Sequence, residues 1–317
     1  MKQRKQQNIT VGSTHIKGSV GGQSWYRGEN CNFFPEDNDF KSLDDDYSNL
    51  RAFIKEFVFK GWEPQKALFN DKSRLLALGS CFARELQYAL KDEGKVLDHL
   101  WMPEGLNNTF ALRQFISWVC RGETDSQAFW YDNDKYKKSY KWTPPEEQNK
   151  YKELFQKASG FVLTIGLAEV WRDKTENKVF WRGVPDDIFD ERRHELVVST
   201  VDENTANLRN IVSSISKISH APIIFTLSPV PLRATFRDRS CITADCISKS
   251  ILRVALDNLM KQDEKDVYYW PSFEIVRWLS GHLSIAAFSD AKDRDCRHVN
   301  TAVVSNIISS FVEFYFE

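Results

Sequence analysis

With 317 residues, 42% of them apolar, the chain has material for one large domain with extensions or for two small ones. Lys plus Arg number 43 against 44 Asp plus Glu, a net charge of −1, so no basic excess points to nucleic acid or to an anionic membrane. No stretch approaches the roughly 18 consecutive apolar residues of a membrane span, and no apolar run follows the charged start Met1-Lys2-Gln3-Arg4-Lys5, so a secretory signal is not expected and a cytoplasmic location is.

Residues 1–70 read as an extension wrapping the main domain. They carry Gly18, Gly21, Gly22 and Gly28, then an acidic stretch over 36–46, and the first dozen are expected to be disordered. A short helix is expected over 47–59, where Leu50, Phe53, Ile54 and Phe57 recur at helical spacing. The domain that carries the chemistry is expected over 71–317. Its strands are expected at 74–79, 161–165, 222–228 and 266–270, each short, apolar and rich in β-branched or aromatic residues. Helices are expected at 82–93, 109–121, 150–158, 203–218, 244–261 and 300–315. Strands alternating with helices make a mostly parallel α/β sheet covered on both faces. An insertion at about 122–149 interrupts the alternation with Trp130, Tyr131, Tyr136, Tyr140 and Trp142. It reads as a surface loop with local aromatic packing, or as a lid stacking on a sugar or another planar face.

Six cysteines (31, 81, 120, 241, 246 and 296) form no CxxC pair and are too sparse for a disulfide scaffold, so free thiols and no metal are expected. One of them stands out. Leu75-Leu76-Ala77-Leu78-Gly79-Ser80-Cys81-Phe82-Ala83 reads as a buried strand, a tight turn and a helix start, with the thiol of Cys81 near the positive end of the helix dipole. In such sheets ligands bind at the carboxyl ends of the strands. Gly166-Leu167-Ala168-Glu169 follows one expected strand and Ser228-Pro229-Val230-Pro231 another, the latter fixing a rigid exit. Asp295 and His298 precede the last helix three residues apart, so one turn can present both on one side.

The run Gly79-Ser80-Cys81-Phe82-Ala83 resembles the signature of the GSCFA family. The likeness continues in order through Asn107-Asn108-Thr109-Phe110-Ala111-Leu112, Gly166 to Trp171, Ser228 to Leu232, Ser248-Lys249-Ser250, Tyr269 to Glu274 and Asp295 to Val299. That family is distantly similar to the SGNH, or GDSL-like, hydrolases. The resemblance therefore implies a flavodoxin-like three-layer α/β/α sandwich and an acyl esterase or O-acyltransferase. Laid over the Gly-Asp-Ser-Leu motif, it puts Cys81 at the nucleophile position, with Ser80 as the alternative, and His298 and Asp295 at the Asp-x-x-His pair. A thiol needs less activation than a hydroxyl; His298 would share its proton and Asp295 would hold the imidazole tautomer.

The superfamily's third block usually ends in an oxyanion-binding asparagine, and Gly166-Leu167-Ala168-Glu169 has none. A carboxylate there repels an oxyanion, so Glu169 would grip a sugar hydroxyl, orient a partner or anchor a turn. The donors left are the Cys81 N–H and an amide from Asn107 or Asn108, beside Gly79 and Gly166. The expected substrate is a small molecule or saccharide, foremost a carbohydrate or polysaccharide precursor. No cofactor is required, and acyl-coenzyme A is the donor to consider for transfer. The reading from another class is a catalytically inactive carbohydrate-binding or scaffold protein that retains the fold. Oligomeric state stays open.

Lys249 and Arg253, one helical turn apart, read as a solvated helix face, with an anion site as the alternative. His15, His99, His194, His220 and His282 read as structural or solvated, and Tyr269, Trp270 and Phe273 as packing under the site.

Overall fold

Five short apolar segments pair side by side, all parallel, in the computed structural model: β1 Arg74–Gly79, β2 Val96–Trp101, β3 Gly160–Ile165, β7 Ile223–Leu227 and β8 Val267–Trp270. The structure describes residues 34–35, 39–40, 43, 49–79, 81–92, 94–102, 104–123, 145–181, 183–184, 189–262, 265–279, 282, 286–288 and 296–317, with only the backbone for Cys81, Phe82, Glu104, Pro145, Glu146 and Leu279. The sheet order is β2-β1-β3-β7-β8. Numbered among the five alone, that is 2-1-3-4-5, the flavodoxin-like order. Register sets Leu78 opposite Leu100 on one side and Leu163 on the other.

Successive strand residues point to opposite faces, and here each face meets its own helices. Leu76, Leu78, Phe161, Leu163, Ile165, Phe225 and Leu227 join one core with α3 Thr109–Arg121, α4 Pro145–Lys157, α5 Val201–Ser216 and α6 Cys241–Met260. Leu75, Ala77, Val162, Ile224 and Trp270 join a second core. That core is closed by α1 Leu50–Phe53 with the π-turn Ile54–Val58 that continues it, α2 Cys81–Asp92, α7 Ser272–Leu279 and α8 Thr301–Tyr315. Phe40 and Leu43 of the N-terminal segment are buried in this second core. The result is a three-layer α/β/α sandwich. Among the described residues no helix is long and apolar enough to cross a membrane.

Six elements depart from the sequence expectation. Strand β2 was not foreseen, because Asp98 and His99 interrupt its apolar pattern, as befits the edge strand it is. A second, antiparallel sheet follows β3: β4 Glu169–Asp173 lies between β5 Lys178–Val179 and β6 His194–Val198. Its residues are mixed and charged because one side faces solvent. Helix α4 starts five residues earlier than expected, at Pro145, a residue suited to a first helical position. Helix α7 is too short for its period to register. Most of the aromatic insertion (124–144) and the first dozen residues lie outside the described residues.

Gly79 closes β1 against Thr164 of β3. A Cβ on Gly79 would stand 2.7 Å from Thr164 Cβ and 2.8 Å from its Oγ1, so the two strands meet here without room for a side chain. Gly79→Ala is expected to lower stability by about 2 kcal/mol in a denaturant titration. Combined with Thr164→Gly, which removes both obstructing atoms, it should cost less than the sum of the two single changes. Strict additivity would show that the contact is not what confines Gly79.

Candidate active site

Two helix starts lie at one edge of the sheet. Strand β1 ends at Gly79, and α2 begins at Cys81, so this residue occupies the first turn of a 12-residue helix at the carboxyl edge. Helix α8 packs beside α2 on the same face. It ends at the amino edge, where the Leu68 and Phe69 N–H groups each donate to Tyr315 O at 2.9 Å just before β1 begins. Its start, with His298 three residues upstream, is therefore at the carboxyl edge, as Cys81 is. His298 is half-buried and held from both sides. Arg297 Nη1 donates to Pro231 O at 3.1 Å, Val299 bridges to Phe288, and the Asn300 N–H donates to Ala287 O at 2.8 Å. Ser80 and Asp295 lie outside the described residues.

Beyond Gly79, where β1 leaves the sheet, Asn107 and Asn108 take its place beside β3. The N–H groups of Gly166 and Leu167 both donate to Asn107 O, at 2.8 and 2.9 Å, and Asn108 pairs in parallel with Leu167. The switch point of the strand order, between β1 and β3, therefore has a backbone floor. The two asparagines divide the work. Asn108 caps α3, its Oδ1 accepting from the Ala111 N–H at 2.8 Å while Nδ2 donates to Gly105 O at 3.2 Å. Asn107 is equally buried, yet its Oδ1 has no hydrogen-bond partner among the described residues. Its Nδ2 stands 2.9 Å from where a Gly166 Cβ would lie; Ser228 Cβ and Lys249 Nζ fill the same space at 3.3 and 3.5 Å, so only glycine fits.

The polar backbone of 166–168 is gripped by α6 directly and, through Ser199, by α5 and α3. Lys249 Nζ donates to Gly166 O at 2.9 Å and the Ala168 N–H donates to Ser248 Oγ at 2.7 Å, both from α6. Ala168 O accepts from the N–H and Oγ of Ser199, both at 2.8 Å, and Asn204 of α5 donates to Ser199 Oγ at 2.8 Å. Thr109 of α3 donates to Asn204 Oδ1 at 2.6 Å, completing a buried relay. These bonds correct the solvated-face expectation for Lys249 and Arg253. Lys249 is 3% exposed, and half-buried Arg253 pairs with Glu274 at 2.6 Å and lies over the Tyr269 ring.

Glu169 opens β4 with both carboxylate oxygens engaged. Thr235 Oγ1 donates to one at 2.8 Å, and Arg237 Nη1 lies 3.5 Å from the other. This latches the 228–240 loop across the edge, together with Asp245, which accepts from the Leu232 N–H and pairs with Arg277. Burial first, then the Asp245 and Glu169 carboxylates, push the Cys241 thiol up, against the opposing charge of Arg297. His99, read from sequence as structural or solvated, is structural: its Nε2 bonds Gly79 O at 3.0 Å. That carbonyl also accepts from the Met102 N–H, so the residue before the Ser80-Cys81 turn is fixed twice. Since a carbonyl only accepts, the ring presents Nε2–H. No sequence signal marked His99, because the edge strand that carries it was itself not foreseen.

The GSCFA family model matches residues 74–311. No curated protein matches the sequence. Among solved structures, a carbohydrate esterase family 2 enzyme with its carbohydrate-binding domain, from Corynascus thermopiles (Myceliophthora fergusii), aligns at 12% identity and a TM-score of 0.37, covering 79% of this chain and 67% of its own. The C-terminal catalytic domain of Streptococcus pneumoniae peptidoglycan O-acetyltransferase A aligns at 9% identity and a TM-score of 0.37, covering 76% of this chain and 92% of its own. Superpositions this loose bear on neither reaction nor substrate.

The asparagines separate by experiment. Asn108→Ala should lower stability by about 1 kcal/mol through the lost cap, whereas Asn107→Ala should leave the melting midpoint within about a degree, its Oδ1 bonding nothing described. Equal losses in a thermal melt would contradict the division.

Proposed function

The chain belongs to the GSCFA family, and from that premise we propose that it is an acyl-directed enzyme that hydrolyses or transfers O-acyl groups through a Cys81 thiolate. The reading is supported by two helix starts, one at Cys81 and one just after His298, both lying toward the carboxyl edge of the sheet. Both helices end their positive dipoles there, which favours a thiolate and a developing oxyanion.

In this reading the thiolate attacks the acyl carbonyl, forming a thioester as the C–O bond to the leaving alcohol breaks. His298, protonated by the thiol, gives its proton to that alkoxide. Water or an acceptor hydroxyl then attacks the thioester, His298 takes its proton, and the Cys81 thiolate departs. Asp295 would orient the imidazole. The oxyanion would receive the Cys81 N–H and the Asn107 amide, since Asn108 is committed to its cap. Glu169 serves the scaffold, its oxygens being taken up by Thr235 and Arg237. For transfer, acyl-coenzyme A is the donor to test. A carbohydrate acceptor is favoured by an aromatic cluster on the small sheet. Trp171 of β4 lies with its ring centre 5.5 Å from Phe189 and 5.7 Å from Phe236. Phe189 and Phe236 are 41% and 76% exposed, a surface able to stack on a pyranose face.

Iodoacetamide near pH 6.5, read by mass spectrometry at each cysteine, should label Cys81 first. Cys246 and Cys296 are exposed and should follow; Cys241 should lag, and Cys120, pushed up to about 12 by burial, should stay unlabelled. With p-nitrophenyl acetate as the probe ester, Cys81→Ala and His298→Ala should each lower turnover by roughly a thousandfold, with no further loss in the double variant. Full turnover in Cys81→Ala beside an inactive Ser80→Ala would move the nucleophile to Ser80. Slow, undifferentiated labelling without turnover would favour the inactive binding protein.

A further inference from the structure

We propose that Trp101 and Arg84 form a saccharide subsite at the end of β2, on which the neutral pyranose ring that gives or receives the acyl group stacks. The inference rests on the Cys81 reading and deepens it by placing the sugar.

Trp101 is the last residue of the edge strand β2 and the register partner of Gly79, the residue that ends β1. Leu97, His99 and Trp101 alternate along β2 on the side that packs against α2. From α2, Arg84 lies over the Trp101 ring with its Cζ 5.7 Å from the ring centre. Arg84 follows Cys81 by about one turn of that helix, so the two positions share a side. Trp101 is therefore tied to both flanks of the turn: to Gly79 by strand pairing, and to the first turns of α2 through Arg84.

The ring is exposed yet held. It is 51% exposed, while His99, anchored by its bond to Gly79 O at 3.0 Å, meets it near-perpendicular with ring centres 5.7 Å apart. Tyr88, 55% exposed on the same helix as Arg84, makes no ring contact among the described residues. A large apolar ring kept in water forgoes the gain of burial, and one fixed in place has already lost the freedom that binding would remove.

The polar groups around it select the ligand. Arg84 Nε donates to Glu85 Oε1 at 3.2 Å, so a carboxylate offsets the guanidinium charge and favours a neutral ligand over an anion. The Arg84 Nη groups and the Trp101 Nε1–H bond nothing among the described residues, which leaves several donors around one π surface. A pyranose matches both, with a face of C–H bonds for the ring and hydroxyl and ring oxygens for the donors. The purine of acyl-coenzyme A would also stack, but its pantetheine arm holds it many bonds from the thioester, whereas Trp101 lies beside the residue before the turn.

The test separates binding from turnover. Randomly mono-O-acetylated cellobiose is titrated by saturation-transfer NMR into the full-length Cys81→Ala protein, and into the same protein carrying Trp101→Ala, Trp101→Phe, Arg84→Gln or Tyr88→Ala. Expected is an affinity about tenfold weaker in Trp101→Ala, mostly restored in Trp101→Phe, about threefold weaker in Arg84→Gln and unchanged in Tyr88→Ala. Equal affinity in Trp101→Ala, or no saturable binding in the Cys81→Ala protein, overturns the subsite and leaves the Cys81 reading standing. Trp101-dependent binding beside a wild type that turns over no p-nitrophenyl acetate keeps the subsite and overturns the Cys81 reading. Tighter, Trp101-dependent binding of coenzyme A assigns the ring to an acyl donor, and a dimer in light scattering that Trp101→Ala dissociates assigns it to a second copy. Either result overturns the saccharide.

Discussion

One carbonyl, that of Asn107, organises the functional edge. When β1 turns away after Gly79, the N–H groups of Gly166 and Leu167 lose the neighbour that a continuing strand would have supplied. Buried donors left unpaired cost more than a formed bond returns. The segment after β2 crosses over to meet them, and Asn107 O takes both. From this handover follow the burial of Asn107, the requirement for glycine at 166 and the start of α3 one residue beyond Asn108.

The same handover explains why so many polar side chains are buried around a segment of three residues. Ser199, Asn204, Thr109, Ser248 and Lys249 are all buried; Ser199, Ser248 and Lys249 bond the 166–168 backbone, Asn204 bonds Ser199, and Thr109 bonds Asn204. Networks of this kind hold their members rigidly because each alternative leaves a donor or acceptor unmet. On the opposite face the arrangement is apolar: α2 and α8 lie side by side over Leu75, Ala77 and Val162. A rigid polar floor and two helix starts at the same edge of the sheet are what acyl chemistry at a thiol would use. The 228–240 loop closes the edge through Glu169, Asp245, Arg277 and Arg297, four charged residues from four parts of the chain.

Much of this was legible in one dimension because it is local. The apolar run ending at Gly79, the small residues of the turn and the helix formers after it describe β1 and α2 within a residue, and the Leu208-Ile211-Val212-Ile215 stripe describes α5. Strand β2 was missed because an edge strand needs apolar residues on fewer positions, and its Asp98 and His99 serve an ion pair with Arg74 and a bond to Gly79 O. The small sheet was missed because its strands are short and charged, with Arg172 and Asp173 paired to Glu203 and Arg193 across long separations. Lys249 was misread because helical spacing places it one turn from Arg253, and spacing alone does not say which stripe is covered.

The sequence by itself determined the alternation of strands and helices, hence the α/β class, and the residue types available at each strand exit, because propensity and apolar period act over a few neighbouring residues. Only the tertiary structure decided that Asn107 lines the floor while Asn108 caps a helix, that Glu169 is spent on a latch, and that a lysine 83 residues away in sequence grips Gly166. Those outcomes depend on which donors and acceptors burial leaves facing one another. That is set by strand order and helix packing, quantities no local window contains.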